Sequence, residues 1–182
     1  MKIWQVLPLG PTGYGDSPYQ CFSAFAGNPL LIHVPGGGGE FSASTVEFER
    51  VIPHKQALLR EVLDRFVPDD GYRAFVAREA SWLEDYALFM ALKAAHDGKA
   101  WTDWEEGAAQ REPGALARWR LQLDADIERV RREQYFFAVQ FQALKKGAAD
   151  RGIQLMGDLP IYVAHDSADV WANRSLFKLK PD

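Results

Sequence analysis

The sequence Leu7-Pro8-Leu9-Gly10-Pro11-Thr12-Gly13-Tyr14-Gly15-Asp16-Ser17-Pro18-Tyr19-Gln20 packs three glycines and three prolines into fourteen residues. The apolar run that leads into it, Ile3-Trp4-Gln5-Val6-Leu7, predicts a buried strand. Glycine permits positive φ, and proline fixes φ and lacks an amide hydrogen, so an irregular loop must follow. Two tyrosines, an aspartate and a serine therefore sit just beyond a strand. An aromatic ring over a hexose buries C–H groups and leaves the hydroxyls free to hydrogen-bond, so this mixture suits a sugar-binding surface. A rigid loop in that place also suits the C-terminal face of a barrel, where sites are built. The same residues would equally build a structural turn with both rings packed on the core.

Outward from the loop, Phe22-Ser23-Ala24-Phe25-Ala26-Gly27-Asn28-Pro29 predicts a short helical turn, followed by an extended piece over residues 29–33. Asn28 before Pro29 reads as a turn residue. Pro35 and the glycines at 36–39 break regular structure, and residues 35–44 read as a surface connection. Leu58, Leu59, Val62, Leu63 and Phe66 then recur at helical spacing, with Pro68 ending that helix and Asp69-Asp70 able to cap the next. A second amphipathic helix is predicted over residues 81–96, a loop over 101–107, a helix opening at Pro113, and a long helix over 123–149. Ile153-Gln154-Leu155-Met156-Gly157 reads as another buried strand. Parallel strands need only one crossover helix between them, so the extra helices must form an added layer.

Together with the later Gly157-Asp158-Leu159-Pro160-Ile161-Tyr162-Val163-Ala164-His165-Asp166-Ser167-Ala168-Asp169-Val170-Trp171, the two N-terminal motifs closely resemble the 4-α-glucanotransferase family, also called amylomaltase or disproportionating enzyme. The resemblance implies an α/β fold, part of a (β/α)8 barrel with a mainly helical subdomain inserted between consecutive strands. Residues 1–34 would hold a barrel strand and its glucan-binding loop, 35–150 the inserted subdomain, and 151–182 a second strand with the loop and helix after it. Family members are much longer than 182 residues, since a barrel alone takes about 250. The chain is therefore expected to be an internal fragment, with the family's catalytic carboxylates later than Asp182.

The resemblance also implies roles. Tyr19 falls at the donor glucan near the cleavage point, and Tyr14 at a secondary glucan contact farther out. Asp158 follows directly on the second strand, where barrel enzymes place working groups. It would hydrogen-bond the sugar under attack, or else cap the Leu159-Pro160 turn. Ser17 is a further candidate partner for sugar hydroxyls, while Asp16 is read as structural. No catalytic residue is assigned within the chain. His165 and Asp166 form a tempting base pair, but Asp166-Ser167 reads more simply as the N-cap of a short helix over residues 168–173. Glu105, Glu106, Glu128 and Glu133 read as solvated charges with ordinary pKa.

Composition excludes several classes. The net charge of −4 leaves no basic footprint for nucleic acid. No apolar run approaches the ~20 residues of a membrane helix, and Met1-Lys2 opens no signal peptide. Cys21 is the only cysteine, which fits a small buried hydrophobe in a reducing cytoplasm. The four histidines show no metal-ligand spacing, and no cofactor is expected. The expected partners are maltooligosaccharides and other α-1,4-glucans, and the isolated chain is expected to self-associate through unpaired strand edges. Three readings stand at this point: part of a transglycosylase inactive alone, a glucan-binding piece without chemistry, and a helical interaction module.

Overall fold

The computed structural model describes residues 2–179, and it is mainly helical. Its sheet, among the described residues, has two short parallel strands, β1 (Ile3–Gln5) and β2 (Gln154–Met156), paired Ile3 to Gln154 through Gln5 to Met156. Six α-helices stand among the described residues: α1 (Phe48–Asp64), α2 (Asp70–Ala95), α3 (Glu106–Ala109) and α4 (Pro113–Gln122) precede α5 (Asp124–Ala149), while α6 (Ala168–Ala172) follows β2. A full (β/α)8 barrel is not seen. The arrangement fits an incomplete portion of one.

The sequence predicts both strands buried, and here it is wrong. All three residues of β1 are exposed, as are Gln154 and Met156 of β2. Each strand's one partner in the sheet is the other, so the opposite edges and one face lie open. The covered face looks onto α5, across a groove lined by Trp4, Val6, Phe137, Phe141 and Leu144.

The helices carry the core instead. Asp69 caps α2 by accepting from the Tyr72 amide at 2.7 Å, so the helix starts eleven residues before the predicted position and runs to Ala95. Leu83, Tyr86, Ala87, Leu88, Phe89 and Leu92 are all buried, because this helix has neighbours on several sides and shows no clean amphipathic stripe. Trp101, which opens a 3-10 turn, and Trp104, which follows it, are predicted in a loop but pack into that core, Trp104 beside Phe89 and Trp171. The fully buried Trp171 indole donates to the Ala108 carbonyl at 3.0 Å, which satisfies its single donor. Helix α1 begins ten residues before Leu58 and tolerates Pro53 within it, at the cost of one backbone bond.

The segment after the glycine-rich loop also differs from expectation. Residues 21–28 run as bends without a helical turn, and Pro29–Leu31 forms a 3-10 turn where extended chain is predicted. Asn28 accounts for it: its Oδ1 accepts from the Leu30 amide at 2.9 Å, and Pro29 follows at the first position. Two glutamines of α5 hold this segment. Gln134 bonds both the amide and the carbonyl of Gly27, and Gln140 does the same for His33. No helix of the described residues is long and apolar enough to cross a membrane.

Candidate functional site

Parallel pairing sets the site. Because Gln5 lies beside Met156, the chain leaves both strands at the same edge of the sheet, and the Val6 amide extends the ladder to the Met156 carbonyl at 2.9 Å. The loop after β1 and the loop after β2 therefore begin side by side.

The first loop is pinned along its length. Asn28 donates its amide to the Leu9 carbonyl at 2.8 Å, Phe22 to Pro11 at 3.1 Å, and Thr12 bridges Cys21 in antiparallel fashion. Gly13 is required here, since a Cβ would stand 2.2 Å from the Gln20 carbonyl oxygen. Beyond it the chain passes through left-handed φ at Gly15 (65°) and Asp16 (53°), in the 3-10 turn Tyr14–Asp16. That turn lifts Tyr14 away from the core, and its ring is 87% exposed. Ser17 accepts the Tyr19 amide at 3.3 Å, so its oxygen stabilises the loop's own backbone.

Tyr19 reaches across to the second loop. Its hydroxyl donates to Asp158 Oδ2 at 2.8 Å, joining residues 139 apart in sequence. This hydrogen bond raises the Tyr19 pKa above its ordinary value, with desolvation and the Asp158 charge adding to it. The ring itself remains half exposed. Asp158 is thus engaged with a side chain of the first loop and does not cap its own turn. Of the four candidates, Tyr19, Asp158 and Ser17 are linked in series, while Tyr14 stands apart on the rim.

Two further readings are settled by geometry. Asp166 is no N-cap: its Oδ2 takes the Lys93 ammonium and its Oδ1 the Trp101 amide at 3.2 Å. Ser167 alone caps α6, accepting from Val170 at 3.3 Å. His165 stacks near Trp101 at 5.3 Å between ring centres, and its carbonyl takes the Trp101 indole at 2.8 Å.

The acidic residues correct the reading most. Glu106 is exposed, as a solvated charge should be. Glu105 takes the Trp119 indole at 2.6 Å, and Glu128 takes the Tyr72 hydroxyl at 2.7 Å while pairing with Arg131 and Arg132. Glu133 departs furthest. Burial pushes its carboxyl up to about 7, against a smaller opposing pull from Arg129. It lines a cleft of about 430 Å³ with Asp16, Arg60, Tyr86 and Asp126. Helical periodicity puts Glu133 on a wet face, whereas α1, α2 and the loop over residues 11–30 close around it. Cys21 is fully buried as predicted, which raises its thiol pKa.

A cleft of about 580 Å³ adjoins the second loop, and sequence reasoning missed its lining. Phe25 and Trp82 stack at 6.3 Å, with Ile161, Tyr162 and Asp169 around them. Asp169 accepts the Ala24 amide at 2.9 Å, and burial raises its pKa. The clue lay in Phe25, an aromatic ring inside the motif beside the loop. Among the described residues, no group of His, Cys, Asp or Glu side chains is placed to hold a metal ion.

Known proteins resemble this chain along its whole length. A family model described as 4-alpha-glucanotransferase matches residues 1–182. The 4-alpha-glucanotransferase of Thermus thermophilus is 44% identical over 197 residues, which cover 98% of this chain and 39% of that protein. The Synechocystis enzyme of the same name is 40% identical over 200 residues, covering all of this chain and 40% of that one. Among solved structures, an amylomaltase from Streptococcus agalactiae in complex with acarbose superimposes with a TM-score of 0.87 at 37% identity, over 98% of this chain and 40% of that one. The chain thus spans about two fifths of the length of the relatives it matches.

Proposed function

The chain belongs to the 4-alpha-glucanotransferase family, and on that premise we propose that it is the glucan-binding portion of such an enzyme. Its ligands are α-1,4-glucans: maltooligosaccharides and starch-type chains. The observation that carries this reading is the 2.8 Å bond from Tyr19 to Asp158, which fixes an exposed aromatic ring and a carboxylate across two neighbouring loops at one edge of the sheet. A glucose unit over that ring would find Asp158 beside it as acceptor. Tyr14, on the rim, extends the surface to a longer glucan.

Transfer in a retaining mechanism needs a carboxylate nucleophile and a carboxylic acid about 5 Å apart, with a sugar hydroxyl replacing water in the second half-reaction. Along the second loop the acids are already committed: Asp158 to Tyr19, Asp166 to Lys93, Asp169 to the Ala24 amide. We assign them to binding and support, and the reaction's own carboxylates to the further length that the relatives possess. In that reading the helical block over residues 35–150 is a subdomain set between two barrel strands. By itself the chain binds glucan and does not turn it over.

Titration calorimetry with maltoheptaose, run beside a maltotriose disproportionation assay, tests this. Saturable binding that Tyr19→Phe weakens, with no glucose released, is the expected result. Binding unaffected by both Tyr19→Phe and Tyr19→Ala would take the site away from Tyr19, and absence of any binding would favour a helical interaction module.

A further inference from the structure

The second loop is held in an uneven way. Between residues 157 and 164, the single hydrogen bond among the described residues is the one that Asp158 receives from Tyr19. Leu159, Ile161 and Tyr162 are each more than 80% exposed, so packing does little to fix them. At residue 165 the situation reverses. Trp101 bonds the His165 carbonyl and the Asp166 carboxylate, and Ala168 donates its amide to the Phe22 carbonyl at 2.9 Å.

Lys93 lies at the centre of this anchor. It is 8% exposed, on α2. Its ammonium pairs with Asp166, donates to the Lys99 carbonyl at 3.2 Å, and stands 5.0 Å from the centre of the Phe22 ring. Phe22 closes the first loop through its bond to Pro11, so one ammonium touches the closing residue of the first loop and the far end of the second. A charge this well buried is retained only when paired, and the pair fixes geometry more than it adds stability.

We propose that the Lys93–Asp166 pair is a positioning device for the glucan site: it holds the end of the second loop against the first, and so keeps Asp158 within hydrogen-bond reach of Tyr19. Neither residue touches the sugar. The role deepens the glucan-binding reading and rests on it for its purpose, but the contacts of Lys93 with Asp166 and Phe22, and of Tyr19 with Asp158, are made without any ligand.

The test follows the Tyr19 Cζ resonance in isotopically labelled protein at neutral pH, assigned through Tyr19→Phe, with Asp158→Asn giving the position of a weakened bond. Lys93→Met is expected to move the signal toward the Asp158→Asn position, and Lys93→Arg to restore it. The double variant Lys93→Met/Asp166→Asn, which leaves no uncompensated buried charge, is expected to fold and to show the same shift if Lys93→Met alone does not fold. A folded variant whose Tyr19 signal stays at the wild-type position overturns the proposal. Maltoheptaose affinity is a second readout, expected to fall roughly tenfold, the loss of about one hydrogen bond to a charged group. A shifted signal with no glucan binding in any variant, wild type included, would sink the binding reading and leave the positioning role standing.

Discussion

Gln134 grips the Gly27 peptide from both sides, its Oε1 taking the amide at 2.8 Å and its Nε2 giving to the carbonyl at 3.0 Å. Six residues on, Gln140 repeats the grip on His33 at 2.7 and 2.9 Å, so both pairs are 107 apart in sequence. Two side-chain amides thereby do for residues 27–33 what a neighbouring strand would do. The pairs differ in solvent access, Gln134 being 2% exposed and the Gln140 contact open. Gln134→Leu strands two buried backbone groups and is expected to cost about 2–4 kcal/mol, whereas Gln140→Leu costs less than about 1. Urea unfolding of both variants checks the difference.

Glu133 makes stability depend on pH near neutrality. Its carboxyl ionises at about 7 folded, against an ordinary value near 4.5. The folded form thus holds the proton more tightly, so the advantage is complete below 4.5 and is lost as pH rises through 7. The loss is on the order of 3 kcal/mol. Asp16, Arg60, Tyr86, Asp126 and Arg129 share its cleft. Glu133→Gln is expected to flatten the curve and to stabilise the protein at pH 8, read from melting temperatures across that range.

Gly13→Ala sets a new Cβ against the Gln20 carbonyl, and backbone cannot step aside as a flexible side chain would. The loop must open, with a loss of about 1–3 kcal/mol. Because Tyr19 adjoins Gln20, glucan affinity should fall with stability. Calorimetry and thermal melts on one preparation would reveal the coupling, and an affinity held constant would refute it.

Exposed apolar side chains near the sheet and second loop make the isolated chain prone to associate. Ile3 and Leu7 are more than half exposed, and Ile161 and Tyr162 more than 80%. Sedimentation is expected to show larger species as concentration rises, and Ile161→Ser/Tyr162→Ser to shift the distribution toward monomer. A sharp monomeric melt at high concentration would contradict this expectation.

Much of this architecture is legible in local sequence. The tyrosine loop, the helices opening at Pro113 and near Leu123, and the turn at Asn28 each follow from residues within a few positions. The Tyr19–Asp158 bond is not legible that way, since its partners lie 139 residues apart, and the motifs that hold them bring them together only through the resemblance. Helix α2 is the opposite case: its burial on several sides blurs the amphipathic signal, so the start was placed late despite a visible cap. Glu133 and Asp166 depart from their sequence reading for one reason. Periodicity and capping describe an element alone, whereas segments from elsewhere in the chain close around one and a lysine on α2 claims the other.

The pairing of Ile3 with Gln154 also sets an order of events. During synthesis β1 emerges first and waits, because its partner strand is made only after the five helices between them. Those helices close their own backbone turns locally and early, while closing a loop of this length is slow. The tyrosine loop, which needs β1 at one end and the α5 glutamines at the other, therefore settles late. The surface proposed to face the glucan is then the youngest part of the fold, and the first from which the chain retreats when it begins to unfold.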